Sequence, residues 1–406
     1  MKRRILGYII ALLLLFSAGI WIASRWNVWF SNIPESSFTA SNIPDRITLT
    51  PGEDLMTQRN VSWRCGRTLN DSRLVLVSST DTTIWKAKGE EIKARGTHDA
   101  YYAANIVNLA PGASYKYRVE TGDKLSRWYS FKMPADTLKT RRFLYFGDVQ
   151  DTIGGDSHTM FEKLYKKFNN VDFWACGGDL IERPLNKYWN YLYATTDSIF
   201  AMVPILNTAG NHDYVKSFMP HIDERWTKTF VYPENGAKRV LGSSYYIDMP
   251  DLRIMVLDTH GINSMMTAVS EYQWLKKALQ GAEGKWKVVM MHHPIYSVRK
   301  GRDNLTVRNT FNPLIQKYGV HLVLQGHEHG YSRYIAENGE WSGNHPVYIV
   351  SVASYKMYPT KKDVPGTKII GGKKMYQTID YDSKNMIMRA YELDTDKLID
   401  EVKITK

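Results

Sequence analysis

The spacing of hydrophobic positions changes along the chain, and each change marks a different kind of structure. Ile5 to Ala23 contains no charged residue and comes directly after Lys2, Arg3 and Arg4. As a helix these 19 residues would reach about 28 Å, close to the hydrocarbon thickness of a bilayer. Positive charge before an apolar run places the N-terminus in the cytosol and the rest of the chain outside. The run exceeds the roughly 7–15 apolar residues of a cleaved signal, Trp21 and Ile22 crowd the cut region, and no A-x-A stands out. An uncleaved anchor is therefore favoured over a cleaved signal, both leading to the periplasmic or extracellular side. No cysteine near its end supports a lipoprotein signal. Ser24 to about Ser37 reads as a juxtamembrane linker, so residues 1–37 are expected to form anchor or signal plus linker.

From about Ile43 to Pro134 short alternating runs are separated by turn residues. Examples are Asn60-Val61-Ser62-Trp63-Arg64, Arg73-Leu74-Val75-Leu76-Val77 and Tyr115-Lys116-Tyr117-Arg118-Val119, with turns at Pro111-Gly112 and Thr121-Gly122. This pattern predicts an all-β sandwich over 38–135. After a linker near Ala135 to Lys139, strands alternate with helices. Strands are expected at Phe143–Phe146, Phe173–Gly177, Arg253–Leu257, Val288–Met291 and Leu322–Gln325. Amphipathic helices are expected at His158–Phe168, Leu185–Met202, Glu271–Leu279 and Asn309–Lys317. The second domain, 141–406, is thus an α/β layered unit. From about Val347 the chain returns to strand-like alternation, as in Met386-Ile387-Met388-Arg389-Ala390-Tyr391, which predicts strands completing a sheet edge.

Composition narrows the partners. Hydrophobic residues at 43% and charged residues at 23% are ordinary for a chain that buries a full core, so disorder is not the reading. A net charge of +12 suits phosphorylated substrates or lipid headgroups. No long Lys/Arg run or aromatic-interleaved basic stripe supports a nucleic-acid partner, and none is expected. Cys65 and Cys176 fall in different predicted domains and read as two separate thiols.

The chemistry sits at strand ends. Gly147-Asp148-Val149-Gln150, Gly178-Asp179, Gly210-Asn211-His212-Asp213, Met291-His292-His293-Pro294 and Gly326-His327-Glu328-His329 each come just after a predicted strand. Open α/β sheets place their ligand crevices there. Singly, a Gly-Asp is most often a turn and a His-x-His a hydrogen-bonded surface pair. Jointly, these segments gather carboxylates, an amide and imidazoles, a donor set that suits Mn, Fe or Zn better than calcium.

These segments resemble the calcineurin-like metallophosphoesterases, whose pattern is D-x-H or D-x-G, then GD, GNH[DE], xxH and GHxH. The preceding domain is similar to the fibronectin-III-like N-terminal domain of the purple acid phosphatases, through Leu49-Thr50-Pro51, Val61-Ser62-Trp63-Arg64, Leu109-Ala110-Pro111-Gly112 and Tyr129-Ser130-Phe131. The resemblance implies a metallophosphoesterase fold of two packed sheets flanked by helices. It also implies a site for two divalent ions (Mn, Zn or Fe): Asp148, Asp179 and His329 at the first, Asn211, His292 and His327 at the second, Asp179 bridging. His212 would protonate the leaving oxygen. Asp213 would orient its ring. His293 would contact substrate phosphate or serve only structure. Arg302, Asn304 and Arg333 lie in loops that either line the pocket or are plain surface.

Two positions depart from that pattern. Purple acid phosphatases read GDxxY, with a tyrosine phenolate on ferric iron; the matching residue is Glu182. Other relatives supply the histidine of D-x-H; here it is Gln150. Gln150 is favoured over Glu182 as the replacement ligand, because the i+2 position of an extended chain points to the same side as Asp148. The purple colour of the family, which comes from the phenolate, is not expected. The resemblance implies hydrolysis of phosphate esters, chiefly phosphomonoesters of small molecules. Phosphodiesterase or pyrophosphatase action on nucleotides or lipid-linked phosphates, and an inert metal-binding surface protein, are the other readings.

Overall fold

The computed structural model describes residues 2–93, 98–150, 155–262, 264–335, 345–362 and 364–406. Its N-terminal domain is the expected all-β unit. One sheet orders Asp45–Pro51, Arg59–Arg64, Asp99–Ile106 and Lys88–Ile92. The other orders Thr82–Lys86, Ser72–Val77, Ser114–Thr121 and Lys124–Leu125, with Tyr129–Lys132 also paired to Ser114–Thr121. Alternation builds the core between them: Val61, Trp63, Leu74, Leu76, Tyr117 and Val119 all point inward and are buried.

The sandwich is not an independent bead. Ala201 joins its core, and the Tyr117 hydroxyl donates to the Ala201 carbonyl at 2.6 Å. Buried Arg46 donates to the Tyr101 hydroxyl at 3.0 Å and to the Asn190 side chain at 2.7 Å. Ala201 and Asn190 belong to one helix, Asn186–Met202, whose Trp189, Leu192 and Phe200 pack the core of the second domain.

That domain has two packed sheets. The six-stranded one orders Ile205–Asn207, Trp174–Cys176, Arg141–Phe146, Met375–Tyr381, Asn385–Glu392 and Leu398–Thr405. The seven-stranded one orders Tyr245–Met249, Leu252–Leu257, Trp286–Met291, Leu322–Gln325, Val347–Val350, Tyr331–Tyr334 and Thr367–Ile370. Phe146, Trp174 and Ile205 from the first meet Ile254, Val288 and Leu324 from the second in one core. The strands that precede the chemistry run parallel within each sheet, so their carboxyl ends share a side. Cys65 and Cys176 are buried and free.

Two expectations change. Val347–Val350 is no edge: it lies inside its sheet, parallel to Leu322–Gln325. The later strands do complete an edge: Met375–Tyr381 pairs directly with Arg141–Phe146, and Asn385–Glu392 and Leu398–Thr405 extend that sheet outward to its end. The helix expected at Glu271–Leu279 starts earlier, at Met265–Gln280. Its first turn is capped by Ser264, which accepts from the Thr267 amide, but Met265 and Met266 are exposed and leave no amphipathic trace.

The leading helix also runs further, from Lys2 to Trp29, and the segment after it is anchored to the catalytic domain. The Asn32 side chain donates to the Lys216 carbonyl at 2.6 Å and accepts from its amide at 2.9 Å. Glu35 makes a buried ion pair with Arg225 at 2.8 Å and accepts from the Asn186 amide at 2.9 Å.

Candidate metal centre

The five strand-end segments converge. Asp148 and Gln150 come after Arg141–Phe146, Asp179 after Trp174–Cys176, and Asn211 opens a short 3-10 turn, Asn211–Asp213, after Ile205–Asn207. His292 comes after Trp286–Met291, and His327 and His329 after Leu322–Gln325. Donor atoms of Asp179, His292 and His327 lie within 4.8 Å of one another. His292 Nε2 is 3.3 Å from Asp179 Oδ2, 3.2 Å from Asn211 Oδ1 and 3.1 Å from His327 Nδ1. His329 Nε2 is 3.8 Å from Asp148 Oδ1.

The backbone is bent to achieve this. Asp148, Gln150, Asp179, His327 and His329 have φ of 42°, 33°, 52°, 72° and 50°, a region that side chains other than glycine adopt only at a cost of about 1–3 kcal/mol each. Only Arg46, Asn108 and Asp396 share it among the other described non-glycine residues, so the strain is concentrated here. The glycines of the motifs serve close approach. A Cβ on Gly210 would lie 2.0 Å from Asp179 Oδ1, and one on Gly326 would lie 2.4 Å from Asp148 Oδ2. Gly210→Ala is therefore expected to displace the Asp179 carboxylate, lowering bound metal while costing about 1–3 kcal/mol in stability. Metal analysis alongside thermal unfolding checks this, and unchanged metal content would contradict it.

Hydrogen bonds outside the cluster aim the donors. His292 Nδ1 donates to the Gly177 carbonyl at 2.8 Å, and His329 Nδ1 donates to the Lys356 carbonyl at 2.6 Å, leaving each Nε2 facing inward. The His327 amide donates to Asp148 Oδ2 at 2.6 Å, and the His212 amide donates to Asp179 Oδ1 at 2.9 Å. Several buried atoms have no hydrogen-bond partner: Asp148 Oδ1, Gln150 Oε1 and His327 Nε2. Such orphans are costly unless something else satisfies them, and oxygen and imidazole donors of this kind fit a metal. Burial pushes the Asp148 carboxyl up to about 8, despite His292 nearby. Burial likewise lowers His329 to about 4 and His327 well below the usual imidazole range. Burial also opposes charge on His292, but Asp179 overcomes it and raises that imidazole to about 10. Positive charge among these atoms would offset the cost of burying the carboxylates.

The departures from the family pattern sit side by side. Gln150 Nε2 lies 2.6 Å from His212 Nε2, which leaves its amide oxygen without a partner. The Glu182 carboxylate instead faces Lys356, at 3.6 Å. Its backbone carbonyl accepts from His212 Nδ1. That carbonyl, not Asp213, orients the His212 ring. Asp213 Oδ2 accepts from the Gly210 amide at 2.8 Å, closing the 3-10 turn, because the turn rotates adjacent side chains apart. The expectation for Asp213 is corrected accordingly.

The remaining sequence candidates divide. His293 Nδ1 pairs with the Thr259 hydroxyl at 3.0 Å, and its ring lies 4.3 Å from that of His327. Arg302 lies 3.9 Å from Glu328. Asn304 donates to Glu328 at 3.2 Å and to the Pro294 carbonyl at 3.1 Å, holding two site loops together. Arg333 pairs with Asp400 at 2.7 Å and belongs to the scaffold. Sequence reasoning misses Glu328. It is fully buried and accepts from the Ser297 hydroxyl at 2.7 Å and the Arg299 amide at 2.9 Å. It misses Lys356 too, although that residue comes after the strand Val347–Val350 and so carries the same strand-end signal.

Residues 141–331 match the calcineurin-like phosphoesterase family, and residues 44–133 match the purple acid phosphatase N-terminal domain. An uncharacterized protein of Mycobacterium tuberculosis is 24% identical over 325 residues, covering 70% of this chain and 60% of that protein. The Fe(3+)-Zn(2+) purple acid phosphatase 12 of Arabidopsis thaliana is 28% identical over 158 residues, covering 36% of this chain and 33% of that enzyme. Each match thus spans less than two thirds of the relative's length. The structure of PhoD superposes with a TM-score of 0.63 at 13% identity, covering 91% of this chain and 90% of that one, a likeness of fold alone. The chain thus carries a calcineurin-like phosphoesterase domain preceded by a purple acid phosphatase N-terminal domain.

Proposed function

We propose that this protein hydrolyses phosphomonoesters at a two-metal centre on the outer side of the membrane that its N-terminal helix enters. The observation that carries the reading is the convergence of Asp148, Asp179, Asn211, His292, His327 and His329, with buried donor atoms left over. Asp148, Gln150 through its amide oxygen, Asp179 and His329 would hold one ion, and Asn211, His292 and His327 the other, with Asp179 between them. Divalent Mn, Zn or Fe there would supply Lewis acidity and a nucleophile for in-line displacement at phosphorus.

The chain's own groups do the rest. His212 would deliver a proton to the leaving oxygen from Nε2 after that nitrogen, which accepts from the Gln150 amide in this structure, has taken up a proton; Nδ1 is committed to the Glu182 carbonyl and fixes the ring's direction. Gln150 keeps Nε2 beside the metal ligands. Lys356, paired with Glu182, and Arg302, held by Glu328, add positive charge at the rim for an anionic substrate. The domains proposed are 38–135 for the sandwich and 141–406 for catalysis. The 26-residue helical span Arg4–Trp29 is long and apolar enough to cross a membrane.

A panel of phosphate mono-, di- and pyrophosphate esters tests the reading. Monoesters are expected to turn over fastest, and preference for diesters or pyrophosphates would replace the substrate class. The loss of the family's tyrosine gives a second test. Tyr214 donates to Asp258 at 2.6 Å, and Tyr296 packs against Tyr334 and Tyr348. Iron-loaded, oxidised protein is expected to show no phenolate charge-transfer band in visible absorption. A band would place a tyrosine on iron, and Tyr358, whose ring is 4.7 Å from that of His329, would be the one to replace.

A further inference from the structure

The opening beside His212 is not walled by the catalytic domain alone. A cleft of about 620 Å³ is lined by Asn211 and His212, by Trp29, Phe30 and Ile33 from the N-terminal segment, and by Phe218. One of its walls is therefore the end of the apolar helix. The described side chains of that helix from Arg4 to Trp29 are exposed all the way round, with Trp29 the most covered at the cleft. Its last turns are aromatic: Trp21 and Trp29 rings lie 4.9 Å apart, and Trp26 and Phe30 lie 4.8 Å apart. Tryptophans ending a membrane helix settle at headgroup level.

That level is tied to the active site. Asn32 grips the Lys216 backbone, and Glu35 is buried against Arg225, so the helix end is held at the cleft. Phe218 is 89% exposed and Met219 78%, the former higher than any other large hydrophobic side chain among the described residues. Phe218 lines the cleft together with Lys216, Arg183 and Lys356, and Met219 is its chain neighbour. A soluble ester would need cations but no apolar lip. An amphiphile would need both.

Resting on the hydrolase reading above, we propose that the substrate is a lipid phosphate presented from the bilayer: its hydrocarbon stays beside Trp29, Phe30 and Phe218, and its phosphate reaches His212 and the proposed metal ligands. Water supplies the oxygen that forms the new bond to phosphorus. The bond from phosphorus to the lipid oxygen breaks, that oxygen takes a proton from His212, and the lipid alcohol stays in the membrane while inorganic phosphate leaves.

The test uses the full chain reconstituted into phosphatidylcholine vesicles. Phosphate release is measured from long-chain phosphatidic acid in the same vesicles and from soluble glycerol 3-phosphate, which shares the headgroup ester. The lipid is expected to be favoured in kcat/KM by at least about tenfold, as burial of one large apolar group supports. Phe218→Asp is expected to lower that ratio about tenfold. Glu35→Ala, which frees the helix end, is expected to lower it in the same direction. Turnover of the soluble ester with no lipid preference, or a ratio that neither variant moves, overturns this proposal alone. No release from either ester, with metal bound, overturns the hydrolase reading and this proposal with it.

Discussion

Asp179→Ala is expected to remove most bound metal and to abolish phosphate ester turnover. The proposed bridging role falls to its carboxylate, whose Oδ1 accepts from the His212 amide and whose Oδ2 lies 3.3 Å from His292. Its φ of 52° is a conformation that a non-glycine residue keeps only when its surroundings fix it. Two ions held about 3.5–4 Å apart need a ligand that reaches both. Metal content per chain is the readout, with circular dichroism confirming that the sheets remain. Alanine also takes the partner from the buried His292 imidazole and the acceptor from the His212 amide, so the variant is expected to lose stability, by about 3–5 kcal/mol, as well as metal. Full metal content in this variant would refute the bridging assignment.

His212→Ala is expected to behave differently. Metal should stay bound, while turnover falls by about 10²–10⁴, the usual contribution of a positioned acid. The loss should shrink for an ester whose leaving group is a stabilised phenolate, which needs no proton on departure. That dependence separates proton delivery from simple loss of a pocket wall. Equal metal loss in His212→Ala and Asp179→Ala would make His212 a ligand instead. Asp213→Asn, by contrast, should leave the leaving-group dependence as it is, since Asp213 closes the 3-10 turn rather than touching the ring.

The difference between those two neighbours shows what sequence can and cannot reveal. Asp148, Asp179, Asn211, His292, His327 and His329 are legible because each comes after an apolar strand, and parallel strands must deliver their ends to one side. The partner of His212 is not legible, because it is a backbone carbonyl, that of Glu182, and carbonyls carry no side-chain signature. Asp213 looks right by adjacency, yet a tight turn sends consecutive side chains in different directions. Glu328 hides inside the histidine motif, its role set by Ser297, Arg299 and Asn304 from another loop.

The fold divides in the same way. Alternation marks the sandwich strands and the parallel core, while the place of the last strands in the sheets cannot be read from alternation. Met375–Tyr381 reads as any half-buried strand, and only its pairing with Arg141–Phe146 puts it at the centre of a sheet. The anchoring of the linker is not legible in sequence, because Asn32 and Glu35 find their partners at Lys216 and Arg225, far along the chain.

The most direct test of a two-metal centre is reconstitution of chelated protein with Mn, Zn or Fe, measuring bound ions per chain and phosphate release from a monoester together. Turnover is expected to be absent without metal and to rise as occupancy approaches two ions per chain. Phosphate release at full rate from metal-free protein, or saturation at a single ion, would contradict it.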